Sequence, residues 1–462
     1  MTQTTLPNCT VDEDVDGESS SSSKKVPYGH ELRKYFLFDP KYLNLNHGSF
    51  GTYPTPVRSA LTHYHTLNEQ RPDKFLRYSY PPLLHQCRMQ LSTLVHSPLS
   101  SLVLITNATT GINTVLRNLH FLPNDVIIYF SFAYGAVEKT IKYITESTPA
   151  AATRIEVDFP IEGADLIAKF QKTIHALRSS GKNPRIAIFD TIVSQPGVRL
   201  PFESLIQACK DEKILSCVDG AHGVGHIPLN LSILDPDFFT SNCHKWLFTP
   251  RPVALLYVPP RNQALLRSTL PTSHGFVPEG EEEIANPLPT DTSESQFELN
   301  FGYVGTLDVA PYLTIPAAIT FIDDILGGQD AAQKYCRDLA AKAGQILAHR
   351  FGTTILDNTT HTHTKCFFSN VKLPLELGKK PNNEGESEEI ELKREHAALV
   401  GQWIGKVLVE EFDTFVATCF HTDAWWVRLS GMVYLEEGDF EWVGGVLEGV
   451  CERVRKGEFL GK

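Results

Sequence analysis

No stretch of this 462-residue chain approaches the roughly 18 consecutive apolar residues that a membrane-spanning helix needs, which argues against a helical membrane protein. The first 25 residues, MTQTTLPNCTVDEDVDGESSSSSKK, hold no apolar core, so they fit neither a secretory signal nor an Arg-rich transit peptide. They read as a disordered, Ser-rich, acidic tail. Basic charge is also short: 42 Lys and Arg stand against 54 Asp and Glu, a net charge of −12. That balance excludes broad binding of nucleic-acid phosphates. The nine cysteines are odd in number, scattered, and never spaced Cys-x-x-Cys. Free thiols in a reducing compartment follow more naturally than a disulfide framework, so a cytoplasmic protein is expected. Asn8-Cys9-Thr10 and Asn107-Ala108-Thr109 match a glycosylation pattern, but no secretion signal accompanies them. No internal repeat is visible.

What is present is apolar material in quantity, 42% of residues, enough for two domains at this length. Between about residues 85 and 260 short apolar runs alternate with amphipathic stretches. The clearest strands are Leu102–Thr106, Val126–Phe130, Arg185–Asp190, Leu215–Asp219, Phe238–Asn242 and Val253–Val258. In GINTVLRNLHF, Ile112, Val115, Leu116 and Leu119 share one helical face. Strands alternating with helices predict right-handed βαβ units and a mostly parallel, doubly covered sheet. Beyond about residue 310 the pattern changes to a long helical region (311–351), a strand pair around FVATCF and AWWVRLS, and further helices. The expected organisation is a tail over 1–27, an N-terminal segment over 28–55, a large domain over 56–310 and a small α+β domain over 311–462. Two long polar loops, 278–296 and 378–396, read as lids, interface arms or plain solvated connections.

Just past the strands of the large domain stand Ala108-Thr109-Thr110-Gly111, Tyr134, Ser194, Asp219 with His222, and His244-Lys245. In an open parallel sheet such positions converge on one crevice. TNATTGIN reads as strand, tight turn and helix start, with the Ala108 and Thr109 N–H groups expected to be free for a phosphate. The same letters also spell an ordinary threonine cap. Asp219 either closes a turn beside Gly220 or keeps a pyridine nitrogen protonated. His222 is either a partner in that pocket or a satisfied core histidine. Lys245, wedged between two apolar strands in SNCHKW, supplies an amine able to form a Schiff base with an aldehyde. Phosphate cup, ring-nitrogen carboxylate and imine lysine together specify pyridoxal 5′-phosphate (PLP).

LNHGSFG, NATTGIN, VDGAHG, NCHKWL, SHGF, GYVGTLD and WVRLSGMVY then fall in the order found in the class-V aminotransferases, a family of PLP-dependent fold-type I enzymes that this chain resembles from Tyr42 to Glu441. The resemblance implies an α/β transferase fold with a mostly parallel sheet in its large domain and a smaller α+β C-terminal domain. It implies that Lys245 carries the cofactor, Asp219 faces the ring nitrogen, and Tyr134 stacks on the ring. Ala108, Thr109, Asn242 and His244 would hold the phosphate, with Ser194 and His222 close to the ring. Gly305 and Thr306 in GYVGTLD would reach the phosphate of a partner subunit, making a homodimer. Arg428 would clamp the α-carboxylate of an amino-acid substrate, and Asn46 and His47 would line the substrate side.

Within that family, desulfurases carry a nucleophilic cysteine in an Arg-x-Gly-x-His-Cys loop, and TFVATCFHTDAWWVRLS lacks that pattern around Cys419. Cys419 reads instead as a small buried hydrophobe, and Cys243 as packing beneath the phosphate. LNHGSFG and NCHKWL resemble the isopenicillin-N-epimerase-like branch, and within it the fungal C–S lyases of ergothioneine biosynthesis. That likeness implies β-elimination on hercynylcysteine sulfoxide, with Tyr134 or a histidine assisting; epimerase, aminotransferase and desulfurase chemistry are the alternatives. Tyr53, Trp425 and Trp426 offer aromatic faces to a trimethylammonium group, though the tryptophans suit a core better. His361-x-His363 lacks a companion ligand set and reads as a solvated strand entry, so no metal is expected.

Overall fold

Apolar runs that need cover on both faces dictate the centre of the molecule. The computed structural model describes residues 26–281, 286, 288, 294–378 and 389–461. The acidic tail up to residue 25, with Cys9, and parts of both long loops lie outside the described residues. The principal sheet has seven strands: β1 (Leu102–Ile105), β2 (Asp125–Phe130), β3 (Ala151–Ile155), β4 (Asn183–Asp190), β5 (Leu215–Asp219), β6 (Phe238–Asn242) and β7 (Ala254–Tyr257). They lie in the order β1-β7-β6-β5-β4-β2-β3. Strands β3, β2, β4, β5 and β6 pair in parallel, and β7 runs antiparallel to both β6 and β1. The fold class expected from the sequence is therefore observed.

Alternation along each strand divides the core between the two faces of the sheet. Ile127, Tyr129, Ile186, Ile188 and Phe238 pack with Ile112, Val115 and Ile141. These last belong to helices α3 (Ala108–Asn118) and α4 (Gly135–Ser147), which follow α1 (Thr55–Gln70) and α2 (Tyr80–Leu94). Val126, Ile128, Phe130, Phe189 and Phe239 face the other way, onto Phe170 and Leu205. Those two side chains come from α5 (Gly163–Ser179) and α6 (Phe202–Asp211). Each buried side chain of this size contributes about 1.5–3 kcal/mol relative to exposure, so the sheet is a stiff platform. Strand β3 was not expected, because as an edge strand with exposed Ala151, Ala152 and Arg154 it carries no apolar run.

The second sheet is antiparallel, β8 (Phe368–Lys372), β10 (Ala424–Ser430) and β9 (Ala417–His421), with β10 in the middle. Helices α7 (Gln329–Phe351), α8 (Ala397–Phe412) and α9 (Glu437–Arg455) accompany it. The continuous helical region expected over 311–351 is broken into Tyr312–Thr314, Ile315–Thr320 and Phe321–Ile325 before α7 begins. Gly327 and Gly328 have φ of 75° and 99°, conformations that end a right-handed helix, and they mark the break.

Candidate active site

Lys245 sits on a single helical turn, Cys243–Trp246, entered directly from the fully buried β6. The N-terminal segment is moulded against that turn. Gly51 has φ of +65°, and a Cβ there would lie 1.8 Å from the His244 carbonyl oxygen. A Cβ on Gly48 would fall 2.5 Å from the Phe368 ring and 3.0 Å from Trp246. His47 is 1% exposed, and its Nε2 donates to the Lys245 carbonyl. A carbonyl only accepts, so Nδ1 is the acceptor for the Tyr434 hydroxyl at 3.0 Å, and Asn44 Nδ2 donates to that hydroxyl at 2.9 Å. His47, expected to line the substrate side, thus has both ring nitrogens engaged in positioning the Lys245 backbone. Asn46 does face the arginine described below.

The Lys245 amine lies 3.2 Å from His222 Nε2. Burial, and then the nearby Arg428 guanidinium, lower its pKa to about 8, opposed in part by Asp219 and Asp190. A lowered pKa means more free amine at a given pH, and only the free amine attacks an aldehyde. The rate at which cofactor-free protein captures PLP should therefore rise with pH and level off above about 8. Stopped-flow absorbance against pH checks this; a midpoint near 10.5, the ordinary lysine value, would contradict it.

Two carboxylates, not one, face this amine. Asp219 ends β5 and Asp190 ends β4, and they are paired in register across the sheet. Both are buried, at 4% and 5% exposure. Asp219 Oδ1 accepts the Ala221 N–H at 3.0 Å, so it caps its turn and faces Lys245 at the same time. Burial raises both carboxyls, and with the Asp219 charge beside it Asp190 is pushed well above the usual carboxylate range, so Asp219 is the more readily ionised of the two. The sequence reading missed Asp190, although RIAIFD ends in aspartate as LSCVD does.

At the start of α3 the Asn107 side chain accepts the Thr110 N–H at 2.8 Å, which is a side-chain cap of the expected kind supplied by a different residue. The Ala108 N–H, expected to be free, donates to Asn242 Oδ1 at 2.9 Å. Asn242 therefore ties the end of β6 to the helix N-terminus, and Thr109 is the next residue of that turn. His244 is buried and bonds the Val253 carbonyl through Nδ1 at 3.1 Å, which leaves Nε2 as its remaining polar atom. Tyr134, the residue before α4, has its ring 51% exposed. Thr306 is exposed, and Gly305, at φ of +67°, lines a small cavity with Thr106 and Thr110 on the flank of α3.

Arg428 is carried by the central strand of the smaller sheet and is 1% exposed. Its Nη1 donates to the Ser194 carbonyl, and its Nη2 to Asn46 Oδ1 at 2.9 Å and Ser49 Oγ at 3.0 Å. Phe368 lies 4.4 Å beneath the guanidinium. A Cβ on Gly197 would strike both Arg428 and Phe368, so the arginine is locked from several sides. Its Nε is buried without a partner, a costly state that an incoming carboxylate would relieve. Ser194 thus meets the site through its backbone, while Ser49, Phe368 and Gly197 are positioning residues that local sequence patterns did not single out.

Other expectations resolve simply. Trp425 and Trp426 are 0% and 6% exposed, core residues whose indoles donate to the carbonyls of Ala397 and His421. His361 and His363 do not share a strand face: His361 is exposed on Asp357, whereas His363 is buried and accepts the Ile161 N–H. Among the described residues no cluster of three or more His, Cys, Asp or Glu suits a metal ion. No described helix is long and apolar enough to cross a membrane.

A lysine amine, a buried carboxylate pair and a capped helix N-terminus at the carboxyl ends of the principal sheet, with a preorganised arginine from the smaller sheet, are the arrangement of a fold-type I PLP enzyme. The side chains suit that cofactor and an amino-acid substrate: an amine for the aldehyde, a carboxyl group for the ring nitrogen, and an arginine Nε in want of the substrate carboxylate. Residues 53–374 match the class-V aminotransferase family, and the chain belongs to it. An L-cysteine desulfhydrase-like protein of Epichloe uncinata is 37% identical over 94% of this chain and 98% of its own length. The hercynylcysteine sulfoxide lyase of Schizosaccharomyces pombe is 31% identical over 92% and 98%. Among solved structures, a cysteine desulfurase from Thermococcus onnurineus superposes with a TM-score of 0.68 at 15% identity, over 92% of this chain and 98% of that one. A cystine C–S lyase with glycine linked to its PLP gives 0.67 at 17%, over 90% and 98%. These last two likenesses speak to the fold.

Proposed function

We propose that the chain is a carbon–sulfur lyase that cleaves an S-substituted cysteine by β-elimination, with hercynylcysteine sulfoxide as substrate. The products would be a sulfenic acid, which an external thiol reductant would convert to ergothioneine, together with pyruvate and ammonia. The observation that carries this reading is the state of the thiols. A desulfurase needs a thiolate to accept sulfur. Burial pushes Cys419, held in β9, and Cys243, beneath the Lys245 turn, up to about 12. Every cysteine among the described residues is displaced upward in the same way. With thiolate disfavoured at every cysteine among the described residues, sulfur would leave with its own substituent. The 31% identity to the hercynylcysteine sulfoxide lyase supports the choice of substrate.

PLP, when bound, withdraws the electron pair left at Cα. The rest is the work of this chain. Arg428 holds the α-carboxylate through its free Nε, with Asn46 and Ser49 fixing the guanidinium plane. Lys245 Nζ takes the Cα proton, the Cβ–S bond breaks, and sulfur departs as the sulfenate. The three-carbon enamine that remains takes up water to give pyruvate and ammonia. Tyr134, exposed just before α4, would shield the ring and assist the leaving group. Gly305 and Thr306, on the surface beside α3, suit a homodimer in which each subunit completes the phosphate site of the other.

Pyruvate release is the test, with hercynylcysteine sulfoxide, a simple S-alkylcysteine sulfoxide and L-cysteine compared side by side. Release at least ~10-fold faster from the hercynyl compound, in kcat/KM, is expected. Preference for L-cysteine would point to the desulfhydrase activity that names the 37% identical relative. A PLP-loaded protein that yields no pyruvate from any of them would defeat the elimination reading.

A further inference from the structure

The ring of His222 stands between two side chains of the Lys245 turn, and their chemistry leaves it one protonation state. Trp246 Nε1 lies 3.2 Å from His222 Nδ1, and Lys245 Nζ lies 3.2 Å from His222 Nε2. An indole nitrogen only donates, so Nδ1 has to be the acceptor. Rotating the ring by half a turn would set carbon atoms against both the indole N–H and the amine, so the ring orientation is fixed by the same pair of contacts. A proton on Nδ1, in the other tautomer or in the imidazolium, would face the indole N–H in a buried space. Neutral His222 therefore carries its hydrogen on Nε2, aimed at the amine.

We propose that Trp246 is a positioning residue that holds His222 in its Nε2–H tautomer, so that a donor and never an acceptor faces the reactive nitrogen of Lys245. An ammonium at Lys245 would oppose N–H to N–H, whereas a free amine offers a lone pair to His222. The contact thus favours the nucleophilic form of the lysine. The surroundings reinforce it: burial first, and then Lys245, Arg428, His226 and His244 as the titratable groups facing His222, disfavour a second proton on the ring. Asp190 and Asp219 act on the amine itself and favour its ammonium form. Packing makes the arrangement rigid, since His226 packs at a tilt against Trp246 with ring centres 4.3 Å apart and Phe368 meets His222 edge-on at 5.3 Å. The inference rests on Lys245 being the cofactor lysine.

The test is nitrogen NMR of the full-length holoenzyme labelled with 15N-histidine, assigned by comparison with His222→Gln. His222 is expected as the Nε2–H tautomer at every pH from about 6 to 9. A signal from the Nδ1–H tautomer or from imidazolium within that range would overturn the proposal. In Trp246→Phe the ring is released, so mixed tautomers are expected, and the pH midpoint for PLP capture should rise by about one unit. An unchanged tautomer and an unchanged midpoint in that variant would equally overturn it. If Trp246→Phe does not fold, the wild-type spectrum decides alone. Borohydride reduction and peptide mass mapping of the same sample separate the two claims. Cofactor fixed to another residue would refute the role of Lys245, whereas cofactor on Lys245 beside an Nδ1–H imidazole would refute only the role of Trp246.

Discussion

Replacing Lys245 with alanine is expected to lower kcat/KM by at least ~10³-fold, within the range that a positioned general base commands. The same variant should purify without the visible imine band, and borohydride should fix no cofactor to it. Stability is the useful control. In the folded protein the ammonium is disfavoured by burial and by Arg428, so near neutral pH its removal relieves a cost that offsets the lost contact with His222 and the lost charge facing Asp219 and Asp190. Thermal melting should therefore be unchanged or slightly raised while activity disappears. Alanine leaves the turn itself in place, because His47 grips the Lys245 carbonyl, not its side chain. A variant that kept a tenth of wild-type turnover would remove Lys245 from the chemistry.

The positions of Lys245 and Asp219 were legible because each stands just past an apolar strand, where strand ends of a parallel sheet meet. Their burial follows from the strands, which the sequence marks plainly. Asp190 carried the same signal and was passed over because no short motif surrounds it. His47 shows the opposite limit. A histidine among glycines in LNHGSFG says that something fits closely, but the direction of its ring is settled by Tyr434 and the Lys245 carbonyl, far away in the chain. The arginine cradle is long-range in the same sense, since Asn46 with Ser49, Ser194 with Gly197, and Phe368 come from three separate stretches of chain. Local patterns gave the arginine and not its supports.

Element boundaries divide along similar lines. Strands buried on both faces announce themselves as unbroken apolar runs, whereas β3, half exposed at the sheet edge, does not. The break before α7 was written in Gly327-Gly328, yet amphipathic periodicity on either side masked it. The free N–H groups expected at the start of α3 illustrate a different point. A helix N-terminus is an anion site only while its donors are unclaimed, and Asn242 claims that of Ala108. An arriving phosphate would have to compete with that bond or settle on the neighbouring donors.

Arg428→Lys is expected to raise KM for the amino-acid substrate roughly 10²-fold, about 2.7 kcal/mol, while changing kcat far less. The reason lies in geometry more than in charge. Lysine keeps the positive charge but offers a single nitrogen, and it cannot serve the Ser194 carbonyl, Asn46 Oδ1 and Ser49 Oγ at once while presenting a donor to a carboxylate. It also gives up the flat contact with Phe368. Because Arg428 shares no hydrogen bond with Asp219, Lys245 or the start of α3, cofactor content and the visible band should stay as in wild type. Burial holds the Arg428 pKa down to about 10, still above the working range, so the KM effect should not vary between pH 7 and 8.5. Steady-state kinetics with a cofactor assay on the same preparation reads all three quantities. Loss of PLP from the variant, or a fall in kcat with KM intact, would mean that the guanidinium supports the cofactor site and that the substrate carboxylate binds elsewhere.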